Sequence, residues 1–229
     1  MSETFDPCAD CAAFNEATLR YLDAIYRLSQ RGAPAANSAI AERLDVTPSG
    51  VSLMLHRLAD RQLVEITPYK GVSLTPAGLK IALRLVRRHR LLEVFLMQTM
   101  GFQWHEVDAH ARALQSVINQ EFEDRIDQVT GYPARCPHGH VIPSRDGIVP
   151  AAPDVQLIAC APGTSGVIRC VDTDNVAWLE YLGRLGLTPG AHVTLKSIAP
   201  YGGAVTLSTP RDIMTLGFSL AETILIEKL

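Results

Sequence analysis

The sequence predicts a mainly α-helical protein with small β elements: an N-terminal winged helix-turn-helix, a helical dimerisation domain and a small C-terminal β-barrel. Three observations predict it. The stretch Ser38–Leu63 carries two apolar helical stripes joined by a tight, capped break. Two alternating segments with turn chemistry between them come directly after it. After a Pro- and Gly-rich stretch at 131–153, the texture changes to short alternating runs.

In chain order, residues 1–14 form a polar tail that contains the pair Cys8-x-x-Cys11. A helix is expected from Asn15, with Leu19, Leu22, Ile25 (or Tyr26) and Leu28 on one face, ending near Gly32-Ala33-Pro34. Ile40 and Leu44 lie one turn apart in the next helix, and Val51, Leu55 and Leu58 repeat at i, i+4, i+7 in the one after. Thr47 is a good N-cap, and Pro48 takes the first helical position, where its missing N–H costs nothing. An ordinary helical hairpin would show the same stripes; the residues after Leu63 favour the DNA reader. Val64–Ile66 and Val72–Leu74 alternate around the basic turn Pro68-Tyr69-Lys70-Gly71, which makes a wing, and Thr75-Pro76 repeats the cap-plus-proline device. Residues 15–76 are therefore the DNA-binding domain. Ser38, Thr47, Pro48, Ser49, Ser52 and Arg57 are its candidate contacts, with Tyr69 and Lys70 near the backbone.

A long apolar helix should run from Pro76 to about Met100. A second, roughly His105–Val129, carries Val107, Ala111, Leu114, Ile118, Phe122 and Ile126 at helical spacing. Together, as residues 77–140, they form a dimerisation unit that would pair two recognition helices across successive major grooves. Residues 141–154 read as a linker. The expected strands of the 155–229 barrel are Val155–Ala159, Gly166–Val171, His192–Ile198, Gly203–Leu207 and Thr223–Glu227.

Composition sets bounds. No apolar run approaches the roughly 20 residues that a membrane helix needs, and MSETFDPCAD has neither a basic leader nor an apolar core. Five cysteines without a signal peptide favour thiols or metal ligands in a reducing compartment, so a cytoplasmic location is expected. The net charge of −3 hides an asymmetry. Residues 18–98 hold twelve Arg/Lys against six Asp/Glu, and the rest of the chain nine against eighteen. A basic nucleic-acid face beside an acidic partner domain follows, with Arg84, Arg87, Arg88 and Arg90 contributing to the former.

The strings LRYLDAIYRL, AERLDVTPSGVS, GVSLTPAGLKIA, RRHRLLEVFL and CPHGHVIP, in this order, resemble the diphtheria-toxin-repressor family of iron- and manganese-dependent repressors. The end, LGRLGLTPGAHV through APYGGAVTL, is similar to the barrel domain of the ferrous-transport accessory protein FeoA. The resemblance covers nearly the whole chain. It implies a homodimer that binds double-stranded DNA at palindromic operators when a divalent metal, Fe²⁺ or Mn²⁺, is bound.

His89 and Glu93, at i, i+4, share a helix face as two ligands to one ion must, although an ion pair has the same spacing. The resemblance places them with Asp108 in the family's ancillary metal site and adds Asp172 and Asn175 from the barrel. The family's primary site fares differently: its ligand positions are here Arg20, Arg112, Gln115 and Ser116, with only Asp23 nearby. Guanidinium has donors only, so that site should be absent. Arg112 pairing with Asp23 or Glu16 would put a fixed positive charge in its place.

Other readings stay open. Cys8 and Cys11 could hold zinc or an iron–sulfur cluster, or sense redox state, if Cys136, His138, His140, Cys160 or Cys170 completed the set. Otherwise His138 and His140 are expected to serve packing, and Glu106–His110 is a solvated i, i+4 pair. An accessory role in ferrous transport, with the winged helix binding protein, is the alternative outside regulation. No phosphate loop or nucleophile–base pair is recognisable, so enzymatic activity is not expected.

Overall fold

The computed structural model describes residues 14–229. Cys8 and Cys11 lie outside the described residues. The chain divides into two compact units. The first comprises the described residues up to His89, with 114–123 and 143–148; the second comprises 90–113, 124–142 and 149–229.

In the first unit, α1 (Glu16–Leu28) starts where the Asn15 side chain accepts the Thr18 N–H at 2.9 Å, and it buries Leu19, Leu22 and Ile25 as its period requires. Helix α2 (Asn37–Leu44) ends on Asp45 in the left-handed region, φ 54°, which turns the chain sharply into α3 (Pro48–Asp60). Thr47 caps α3, accepting from Gly50 N at 3.2 Å, and Val51, Leu55 and Leu58 face inward. Strands β1 (Val64–Thr67) and β2 (Gly71–Leu74) form the wing, paired Val64 to Leu74 through Thr67 to Gly71. The free edge of β2 is also held. Ala35 and Val72 exchange both backbone hydrogen bonds, at 2.9 and 3.0 Å. A side chain on Gly71, φ +114°, would meet the Ala35 carbonyl at 2.5 Å, so glycine is required there. The core of this unit gathers Leu22, Ile25, Ile40, Leu55, Leu58, Val72, Ile81 and Leu85.

Thr75 then caps α4 (Pro76–Met100), a continuous helix that passes from the first unit into the second after His89. Its arginines depart from expectation. Arg84, Arg87 and Arg88 are buried rather than solvated. Arg87 and Arg88 each place Nε 3.0 Å from Glu123, Arg87 also donates to the Pro143 carbonyl at 2.8 Å, and Arg84 donates to Gln120. Buried charges persist only where they are paired, and Glu123 supplies the pairing. These side chains therefore hold the fold and do not form a basic outer face.

The single helix expected over His105–Val129 is two: α5 (Val107–Leu114) and α6 (Gln120–Val129). Asn119 accepts the Phe122 N–H at 2.9 Å and so starts a new helix. The spacing Leu114, Ile118, Phe122 crosses this break in register, which is why periodicity alone missed it.

In the second unit, six antiparallel strands run β3 (Val155–Gln156), β8 (Ile224–Lys228), β4 (Ser165–Val171), β5 (His192–Ile198), β6 (Val205–Ser208) and β7 (Ile213–Leu216) across the sheet. Among the described residues β3 and β7 are the two edges, so the sheet is open and the expected barrel is not closed. The first expected strand is short because Leu157–Ala159 coils into a 3₁₀ turn, and β7 was not anticipated. Helix α7 (Val176–Arg184) was also missed; with the short α8 (Phe218–Ala221) it completes the unit. Leu179, Leu182, Ile168, Val193, Leu195 and Ile226 are among its core residues.

Candidate metal centre

A tight turn and a helix build the centre. In the 135–141 loop, Cys136 N–H donates to the His140 carbonyl at 3.0 Å and Gly139 N–H to the Cys136 carbonyl at 2.8 Å. The turn is pinned against β4, where Val171 N–H donates to the His138 carbonyl at 2.9 Å. The close approach depends on Gly139, φ +92°, since a Cβ there would stand 1.8 Å from the Arg169 carbonyl oxygen. That carbonyl belongs to a register shift in β4 between Ile168 and Cys170. Arg135 fixes the near end, donating to the Gly139 carbonyl at 2.6 Å and pairing with Asp154 at 2.8 Å.

Held this way, His138 turns Nδ1 to the Glu93 carboxylate at 3.1 Å and Nε2 to the Trp104 carbonyl at 2.7 Å. A carbonyl and a carboxylate only accept, so Nε2 donates to Trp104 and Nδ1 to Glu93, and an ion would take Nδ1 in place of the hydrogen it shares with Glu93. Cys136 completes a cluster: ligand atoms of Glu93, Cys136 and His138 lie within 4.8 Å of one another, all buried. Burial drives the Cys136 thiol well up, and the charge and hydrogen bond of Glu93 drive it further. Burial pulls His138 down, but the hydrogen bond and charge of Glu93, with the Trp104 carbonyl, outweigh it and the imidazole is raised.

The donors fit a divalent ion. One imidazole nitrogen, one thiol and one carboxylate offer N, S and O together, the set of a borderline cation. The Trp104 carbonyl on the far imidazole nitrogen is the outer contact that orients a ligating histidine. Helix α4 itself sets His89 one turn before Glu93, and His89, Glu93 and Asp108 offer ligand atoms within 4.8 Å of one another.

Of the five expected ligands, three are thus brought together. Asp172 lies just past the end of β4, largely exposed, 3.8 Å from His140 Nε2; the other His140 nitrogen is 3.4 Å from Cys170 Sγ. Asn175 serves a different purpose, capping α7 by accepting from Trp178 N at 3.2 Å. His138, expected to serve packing, instead faces Glu93. The cysteine–histidine pair of CPHGHVIP was the available signal, and its partner on α4 was not. Arg112 was expected beside Asp23 or Glu16; its bidentate contact, at 2.8 and 3.1 Å, is with Asp108 on its own helix, and Asp23 accepts from Arg27 at 3.0 Å. Among the described residues the free cysteines are Cys136, Cys160 and Cys170, all buried.

In the helix-turn-helix, Ser38, Thr47, Pro48, Ser49, Arg57, Tyr69 and Lys70 are exposed and Ser52 is half-buried. Ser52 donates to the Pro48 carbonyl at 3.2 Å, and Ser49 shares a hydrogen bond with Thr47. Tyr69 sits at the wing tip with φ 63°. Leu53, which no sequence pattern singled out, stands among them 57% exposed, at i+4 from Ser49 and i−4 from Arg57.

Three family models match in order: the iron dependent repressor N-terminal DNA binding domain over residues 13–72, the iron dependent repressor metal binding and dimerisation domain over 75–144, and the FeoA domain over 155–228. The iron-dependent repressor IdeR of Mycobacterium tuberculosis is 30% identical over 226 residues, covering 93% of this chain and 97% of that protein. The chain belongs to the diphtheria-toxin-repressor family. This is a family of DNA-binding transcriptional repressors, not of enzymes. The diphtheria toxin repressor of Corynebacterium diphtheriae itself is 29% identical over 224 residues, 93% of this chain and 98% of that one. A solved manganese-dependent transcriptional repressor in complex with manganese matches with a TM-score of 0.86 and 31% identity, over 93% of this chain and all of that one. No helix of the described residues is long and apolar enough to cross a membrane.

Proposed function

We propose that this diphtheria-toxin-repressor-type chain is a homodimeric repressor of metal-homeostasis genes that takes Fe²⁺ or Mn²⁺ at Glu93, Cys136 and His138. The buried cluster of those three side chains carries the reading. His89 and Asp108 flank Glu93, and Asp172 is a further carboxylate that could complete the shell. When bound, the ion supplies two positive charges that the Glu93 carboxylate and the Cys136 thiolate offset. Relatives named for iron and for manganese support these two ions.

His138 orients through Trp104, and the 135–141 turn ties α4 to β4 through the centre's own residues. The family's primary site has no counterpart in this reading, because Arg20, Arg112, Gln115 and Ser116 stand at its positions and the guanidiniums cannot ligate. Fixed positive charge there leaves some operator affinity without metal. Leu114, Val117 and Phe122 are 40, 73 and 51% exposed around the α5–α6 break, an apolar patch suited to a second copy. Two copies present two α3 helices to the half-sites of a palindromic operator. Thr47, Ser49 and Ser52 read base edges, while Arg57, Tyr69 and Lys70 meet the backbone.

Duplexes selected from a random pool, followed by fluorescence anisotropy at about 150 mM salt, test this. Selected duplexes should be palindromic, and binding should tighten with Mn²⁺ or Fe²⁺. Cys136→Ser should remove that response while leaving the residual affinity. Failure to bind any duplex, with or without metal, would overturn the reading.

A further inference from the structure

The Asp108–Arg112 pair stands against the metal cluster. Asp108 offers a carboxylate oxygen within 4.8 Å of a Glu93 oxygen, and its charge acts on His138. Arg112 Nη2 already spans both Asp108 oxygens, at 3.1 and 2.8 Å. An ion coordinated by Asp108 would sit about 2.0–2.2 Å from one of those oxygens, which sets its double charge against the guanidinium across a single carboxylate. Such a contact is repulsive, and an arginine cannot relieve it by losing its proton.

Arg112 has somewhere to go. Its side chain is 39% exposed, and Asp174 Oδ2 already lies 3.9 Å from Nη2. The position is also chemically distinct from an ordinary surface pair, because Asp108 is only 16% exposed and shares with Glu93 a second group of possible ligands beside the Glu93–Cys136–His138 cluster.

We propose that Arg112 is an internal competitor for the metal. Its guanidinium holds the Asp108 carboxylate that the ion would take, so ion binding and the Asp108–Arg112 pair exclude one another, and Asp174 receives the displaced side chain. The inference rests on the metal-centre reading above. Its consequence is a raised threshold. A competitor built into the site raises the concentration needed by every ion by the same factor, so the site fills only at higher free metal.

The test is metal affinity of the full-length protein, stripped with a chelator and titrated with Co²⁺ and with Mn²⁺ against a competing dye. Arg112→Ala and Arg112→Gln should bind each ion about two- to fivefold more tightly, the fold-change expected from removing one partly exposed ion pair. Arg112→Lys, which keeps the charge, should stay close to the parent. In an Asp108→Asn background, Arg112→Ala should change nothing. Unchanged or weaker binding in Arg112→Ala and Arg112→Gln would overturn the proposal, as would equal tightening in Arg112→Lys. The underlying centre is read separately: the parent with Co²⁺ should show a thiolate-to-cobalt absorption that Cys136→Ser abolishes, and its absence would sink the centre itself rather than the competitor.

Discussion

In the helix-turn-helix and wing, Val51, Leu55, Leu58 and Val72 are inside and Thr47, Ser49 and Arg57 outside, whereas at the metal centre the ionisable groups Glu93, Cys136 and His138 are themselves the interior. The first arrangement is the ordinary division of apolar from polar, and its stability comes from area removed from water. The other spends stability, because buried ionisable groups cost free energy unless each finds a partner. Here they find one another: His138 and Cys136 both turn to Glu93. A region built by the first rule needs no ligand for its stability; in the proposed function, a region built by the other is completed by one.

Four measurements press on that contrast. The largest effect belongs to the apolar side. Leu55→Ala opens a cavity at a side chain 1% exposed and should cost roughly 2–5 kcal/mol, read as a lowered denaturation midpoint. The cobalt–thiolate absorption should survive below that midpoint. Next comes Gly139→Ala: the added methyl has to displace the Arg169 carbonyl, so the loop must lift from β4. A stability loss of roughly 1–3 kcal/mol, together with at least tenfold weaker metal binding, should appear in melting and dye competition. Metal binding unaltered in a folded Gly139→Ala protein would break the link between the turn and the centre.

The third is a dependence on pH. His138 is raised above its ordinary 6.5, so the protonated form is the one favoured by folding. Its contribution is complete below about pH 6.5 and is lost as pH climbs through the raised value. The metal-free protein should therefore lose stability from pH 6.5 upward, and Glu93→Gln should flatten that part of the curve. A Glu93→Gln curve with the parent's slope would assign the dependence elsewhere. The smallest effect tests the outward face. Leu53, exposed between Ser49 and Arg57, is placed to meet a thymine methyl in the major groove. Replacing thymines of a selected operator by deoxyuridine should weaken the parent a few-fold and leave Leu53→Ala indifferent.

The same contrast explains what could be read in advance. The elements from α1 to the wing were legible because Asn15, Thr47 and Thr75-Pro76 announce their starts and each stripe is local. His89 and Glu93 were legible for the same reason, being one turn apart on one helix. The turn residues Cys136 and His138 were visible as ligand types, but their partner Glu93 lies in a distant element and no period encodes that meeting. Asn119 and Asn175 misled in complementary ways. Asn119 passes for part of a polar face and is a cap that splits a helix, while Asn175 passes for a ligand and is a cap as well. The arginines of α4 read as a solvated run because Glu123, which buries two of them, comes from α6.

The double hydrogen bond between Ala35 and Val72 gives the two-stranded wing a third attachment, so β2 is held on one side by β1 and on the other by the residues just before α2. Its foot is thereby tied to the stretch that leads into the helix-turn-helix, and the turn that carries Tyr69 springs from an anchored base rather than from a loose loop.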